Sequence, residues 1–173
     1  MSTYAYDKDY LASKGMETVE LKDAEGNSRV LVSPALQGRV MTSTTDADEG
    51  TSYGWINYKF IESGVASTSF NPFGGEERFW IGPEGGPNSW DFAPGKEQVF
   101  ENWTVPAGID TEPFEIVSCT GSEVAFRHAM HWINASGHKF DIDVRRTVAL
   151  VGRKDLSELL GVNLPAGAKV LGY

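Results

Sequence analysis

The sequence predicts an all-β protein of antiparallel strands with a few short helices, and three observations predict it. Short runs of alternating apolar and polar residues recur along the chain, as in strands with one buried face. Clusters of Gly, Pro, Asn and Asp separate those runs at close intervals, as turns do. Helical periodicity is confined to three pieces too short to dominate the architecture. With 173 residues, 40% of them hydrophobic, the chain can bury one proper core and would be cramped as two, so 1–173 reads as a single domain.

In chain order, the first element expected is a helix over 7–15, opened by Asp7 as a cap and closed by Gly15. Alternation at Glu17, Val19 and Leu21, a turn over 23–27 and resumption at Arg29 to Val32 predict a hairpin, with the next strand over 40–43. A second helix is expected over 57–64, between Asn57 and Gly64. Val124, Phe126, Met130 and Trp132 share one face of a candidate strand, and Phe140, Ile142, Val144, Val148 and Leu150 share a face of another. Ala135-Ser136-Gly137 joins the two as a hairpin. A third helix is expected over 155–161, where Asp155 and Glu158 resemble a capping box. The last residues, 168–173, read as a strand entering a sheet; the edge left there predicts a homodimer or a shortened chain.

Charge narrows the partners. A formal net charge of −9 disfavours nucleic acid and anionic membranes, whose phosphates the chain would repel. No apolar run is long enough to span a bilayer, and the first ten residues lack the pattern of a leader peptide. Cys119 stands alone, so no internal disulfide can form.

Chemistry concentrates in the irregular stretch 70–94. Between Glu76 and Glu84 lie three carboxylates (Glu76, Glu77, Glu84), the guanidinium of Arg78 and the indole of Trp80, flanked by Gly74-Gly75 and Gly85-Gly86. Carboxylates and Arg offer forked hydrogen bonds to vicinal hydroxyls, and a Trp face stacks on the C–H face of a pyranose, so this composition suits a sugar. If Arg78 opens an alternating run, Arg78 and Trp80 face one way, toward a ligand, while Phe79 and Ile81 face the core.

The run Gly74-Gly75-Glu76-Glu77-Arg78-Phe79-Trp80-Ile81-Gly82-Pro83-Glu84-Gly85-Gly86, with Gln37-Gly38-Arg39-Val40-Met41-Thr42-Ser43, Tyr53-Gly54-Trp55-Ile56-Asn57 and Asp110-Thr111-Glu112-Pro113-Phe114, resembles a family of uncharacterised bacterial proteins grouped with the galactose mutarotase superfamily. The resemblance implies an antiparallel β-sandwich of the supersandwich kind and association with carbohydrate, and it leaves the compartment open between the bacterial cytoplasm and, after removal of a leader, the periplasm. It also implies that this chain corresponds to the N-terminal part of longer proteins. Mutarotases proper use a His acid and a Glu base, the Glu contributed late in the chain, and that Glu has no counterpart here.

Other candidates follow from residue type. Glu76, Glu77, Glu84 and His131 are the expected catalytic groups, for an epimerase-like proton transfer or a glycosidic cleavage; Arg78, Trp80, Trp55, Asn57 and Arg146 are the expected sugar contacts. Arg146 interrupts an apolar strand face, so it demands a carboxylate or a ligand as partner. His128 and His131 fall on opposite faces of their strand, which excludes a shared metal. Asp46, Asp48 and Glu49 could chelate Ca²⁺ but lack the closing Glu of an EF-hand loop; a solvated acidic turn is the preferred reading, and no cofactor is expected. Two functions are therefore carried forward: sugar binding or processing, and a non-catalytic half-sandwich that dimerises through a sheet edge.

Overall fold

The computed structural model describes residues 2–173. Two antiparallel three-stranded sheets organise it. The first has the order β1-β2-β3, from Val19–Lys22, Arg29–Ser33 and Arg39–Thr44. The second has the order β4-β5-β6, from Glu115–Cys119, Glu123–Ile133 and Lys139–Ala149. Three short helices accompany them: α1 (Tyr4–Ser13), α2 (Tyr58–Ser63) and α3 (Arg153–Leu160). The protein is thus mainly β, and no helix among the described residues is long and apolar enough to cross a membrane.

One core joins the sheets. Leu21, Val30, Val32 and Val40 from the first pack in the same cluster as Val124, Phe126, Met130, Val144 and Val148 from the second. The expected alternation of β5 and β6 is observed, and their register, with Val124 opposite Val148 and Trp132 opposite Phe140, puts both apolar sets on one face. The outward residues Arg127, His131, Asp141, Asp143 and Arg145 are exposed. In β2 and β3 alternation fails, because the first sheet is covered on both sides. Leu31 and Met41 belong to a second cluster with Tyr4 and Leu11 of α1 and Ile56. At roughly 1.5–3 kcal/mol for each fully buried aliphatic or aromatic side chain, burial on both faces contributes strongly to holding this sheet in place.

Several expectations need correction. Helix α1 begins three residues before Asp7, and its cap is Thr3, whose hydroxyl accepts from the Tyr6 N–H at 3.2 Å; Asp7 is instead fully buried. Helix α2 has the predicted ends, with Asn57 as N-cap and Gly64, at φ 61°, as C-cap. Helix α3 starts at Arg153 after Gly152 with no side-chain cap, so Asp155 lies inside the first turn and no capping box forms. Residues 168–173 form no strand: a single bridge pairs Gly172 with Val151. Strand β4, whose residues are mostly exposed, was not anticipated, since exposure on both faces erases the alternating signal.

Candidate functional site

Residues 74–77 run beside β3. The Gly75 N–H donates to the Trp55 carbonyl and the Glu76 N–H to the Val40 carbonyl, each at 2.8 Å. Only glycine fits here: Gly74 has φ 94°, and a Cβ on it would lie 2.1 Å from the Trp55 carbonyl oxygen. The acids that follow are engaged by the protein itself. Glu76 accepts from the Ser43 hydroxyl at 3.0 Å and the Tyr173 hydroxyl at 2.9 Å, and burial, with the Glu76 charge, pushes the Tyr173 hydroxyl well above its usual range. Glu77 accepts from the Val40 N–H at 3.1 Å and pairs with Arg146, whose Nε donates to the Gly38 carbonyl at 3.1 Å. Arg146 thus has the carboxylate partner that its inward position demanded.

Arg78 and Trp80 do not present an open platform. The Arg78 guanidinium lies 4.3 Å from the Trp80 ring centroid and 5.0 Å from that of Phe70, donates to the Ile109 carbonyl and pairs with Asp110 at 3.5 Å. Phe79, Trp80 and Ile81 all pack against the main core, so 78–81 is not the alternating run that would send Trp80 outward. Trp55 is exposed, whereas Asn57 caps α2 and donates its Nδ2 to the Pro72 carbonyl at 2.9 Å. His131 is exposed, with Nδ1 2.6 Å from Asp141; His128, on the other face, meets Glu112 at 3.0 Å and stacks on Phe114. Of the acidic turn, Asp46 pairs with Lys169, and Asp48 with Arg29 at 2.8 Å and Lys8 at 3.3 Å. Among the described residues no group of three His, Cys, Asp or Glu could hold a metal ion.

A buried carboxyl in a cleft lies instead at the far end of the same irregular stretch. Trp90, Asp91, Asn102, Thr104, His131 and Trp132 line a cleft of about 310 Å³. Its floor is held by the β5–β6 hairpin: the Trp90 ring packs on Trp132 at 5.4 Å and edge-on to Phe140 at 5.0 Å, while the Ala135 N–H donates to the Ser89 carbonyl at 2.8 Å. The Trp90 Nε1 donates to the Gly82 carbonyl at 3.0 Å, tying the glycine-rich segment to this rim. The Asp91 N–H donates to the Ser89 hydroxyl at 3.1 Å and its carbonyl accepts from Thr104 at 2.9 Å, which fixes the backbone.

Asp91 is 3% exposed. Burial pushes its carboxyl up to about 6; the Trp103 indole beside it draws it partly back, and the Glu84 carboxylate adds to the rise. Of the expected catalytic residues, Glu84 therefore acts on this cleft through its charge and His131 lines it, whereas Glu76 and Glu77 belong to the ion-paired edge of β3. A second cleft of about 290 Å³, formed by Phe92, Gln98, Val99, Phe100 and Trp103, shares Phe92 with the first. Phe100 is exposed and stacks on Trp103 with 6.1 Å between centroids. Sequence reasoning missed Asp91; the available signal was an acid set between aromatics, Trp90-Asp91-Phe92, in a long aperiodic segment.

Fold and site together define a mainly β protein with a buried, elevated carboxyl in an aromatic cleft. Over residues 2–173 the chain matches a family of unknown function, DUF6786, and it belongs to that family. No curated protein and no solved structure matches it.

Proposed function

We propose that this protein binds carbohydrate in the Asp91 cleft, and that its two sheets are the faces of an antiparallel β-sandwich of the galactose mutarotase-like kind. The observation that carries the binding reading is one buried carboxyl, titrating near 6, set among Trp90, Trp132 and Asn102. At neutral pH such a group is mostly ionised and is a strong acceptor for sugar hydroxyls, while the indoles offer faces to pyranose C–H groups. The neighbouring cleft at Phe100 and Trp103 extends the aromatic surface past Phe92, which favours an oligosaccharide over a single sugar. A carboxyl near 6 is also suited to general acid–base work, with Glu84 as the second acid.

Titration of the protein with neutral and acidic mono- and oligosaccharides, followed by calorimetry and Trp fluorescence, tests this reading. Oligosaccharides are expected to bind, and Trp132→Ala to weaken them about tenfold, the equivalent of roughly 1.4 kcal/mol. Absence of heat and of fluorescence change across the panel, in a folded sample, overturns it. Release of new reducing ends or of epimer from a bound sugar would add catalysis.

A second reading is favoured by β6, which pairs with β5 on one side and with no strand on the other among the described residues. Two copies joined edge to edge through β6 would satisfy the unpaired backbone groups. Light scattering over a range of concentrations is expected to show a dimer that Arg145→Pro, which removes an N–H on the side of β6 facing away from β5, reverts to monomer. A strict monomer at every concentration removes this reading.

A further inference from the structure

Arg78 shows how this chain accommodates a cation away from water. Its guanidinium lies 4.3 Å from the Trp80 ring centroid and 5.0 Å from that of Phe70, with the Asp110 carboxylate at 3.5 Å. An indole, a second aromatic ring and a carboxylate together replace the hydration that the cation gives up. The Asp91 cleft brings together the same three parts and has no Lys or Arg among its lining residues, nor does the adjoining cleft at Phe100.

Asp91, 3% exposed, lines its cleft with Trp90 and Trp132, and the Trp103 indole lies beside its carboxyl. The charge that acts on it is that of Glu84, which has the same sign. Among the described residues neither Asp91 nor Glu84 forms an ion pair. Nor does any Lys or Arg lie over the ring of Trp90, Trp103 or Trp132. His131 lines the cleft as well, but it is 2.6 Å from the Asp141 carboxylate, which balances its positive form. A buried carboxylate without a counter-charge is costly to ionise, and a neighbouring acid raises the cost. A ligand that brings a positive charge relieves both penalties, whereas one that brings a carboxylate adds to them.

We infer that the saccharide taken by the Asp91 cleft carries a protonated amine, as a 2-amino-2-deoxyhexose does, with Asp91 as its counter-ion and the indoles of Trp90 and Trp132 as its walls. This selectivity rests on carbohydrate being the occupant of the cleft. Calorimetric titration at about pH 6.5 with oligomers of glucosamine, N-acetylglucosamine and glucose, matched in length, tests it, because acetylation removes the charge and keeps the ring. The glucosamine oligomer is expected to bind about tenfold more tightly than the other two, and Glu84→Gln to reduce that margin to about threefold. Asp9→Asn makes the same change of charge at an exposed position of α1 and is expected to leave the margin whole. Equal affinity for the three oligomers overturns the assignment and leaves carbohydrate binding standing. A margin that Asp9→Asn erodes as far as Glu84→Gln does overturns it too, since attraction to the net charge of −9 would then account for the preference. Binding of none of the three by folded protein removes carbohydrate as the occupant, and the amine selectivity with it.

Discussion

Asp91→Asn is expected to melt at a higher temperature than the unchanged chain near neutral pH and to lose saccharide binding. The carboxyl titrates at about 6 in the fold against a reference of 3.8, and burial is the main cause. A group whose folded value is raised contributes its stability fully below the unfolded value, and that contribution is lost as pH rises through the folded one. Folding stability should therefore fall between about pH 4 and pH 6 as Asp91 ionises, and stay lower above. A shift of roughly two units corresponds to about 3 kcal/mol, and local relaxation brings the expected gain in the amide variant to about 2 kcal/mol, or roughly 4–8 °C. Chemical denaturation across that pH range is the measurement. A variant that melts at or below the unchanged chain at about pH 7.5 would show that Asp91 is satisfied where it lies, and a site held at a cost to stability would no longer describe it.

The second large effect is opposite in sign. Asp7 is fully buried and accepts from the Ser2 hydroxyl at 2.9 Å and from the hydroxyls of Ser52 and Tyr58; Ser52 in turn meets Thr42 of β3. One carboxylate thereby ties α1 to the first sheet and to α2. Asp7→Ala strands these hydroxyls, and a loss of about 3 kcal/mol, or roughly 6–12 °C, is expected, with Asp7→Asn costing less. Burial, then the bond to Asp7, push the Tyr58 hydroxyl up to about 12 from 10.0. The neutral phenol is the form that the fold favours, so its contribution is whole below about pH 10 and disappears as pH climbs toward 12. That alkaline limb should shrink in Asp7→Ala, which spectrophotometric titration of the tyrosines would follow. Unchanged urea melts in the alanine variant would mean that the network is incidental.

The placement of these two acids separates what is local from what is not. Alternation in 124–132 and 140–150 specified β5, β6 and their inner face, because a two-residue period is written in neighbouring residues. Asn57 and Gly64 specified the ends of α2 through capping and the left-handed conformation, which are equally local. Even Arg146 announced its need for a carboxylate or a ligand, since a charge on an apolar strand face has few other solutions, and only the structure showed that Glu77 supplies it.

The sequence by itself thus determined the strand-rich class of this protein, its two hairpins and a short helix. Only the tertiary structure decided that Arg78 stacks between Trp80 and Phe70 instead of facing solvent, that Asp7 is a hub and not a cap, and that Trp90-Asp91 meets Trp132 across a cleft. The reason is that burial and the shift of a carboxyl depend on which distant segments converge on it, and aperiodic stretches such as 70–94 carry no repeat from which that convergence can be read.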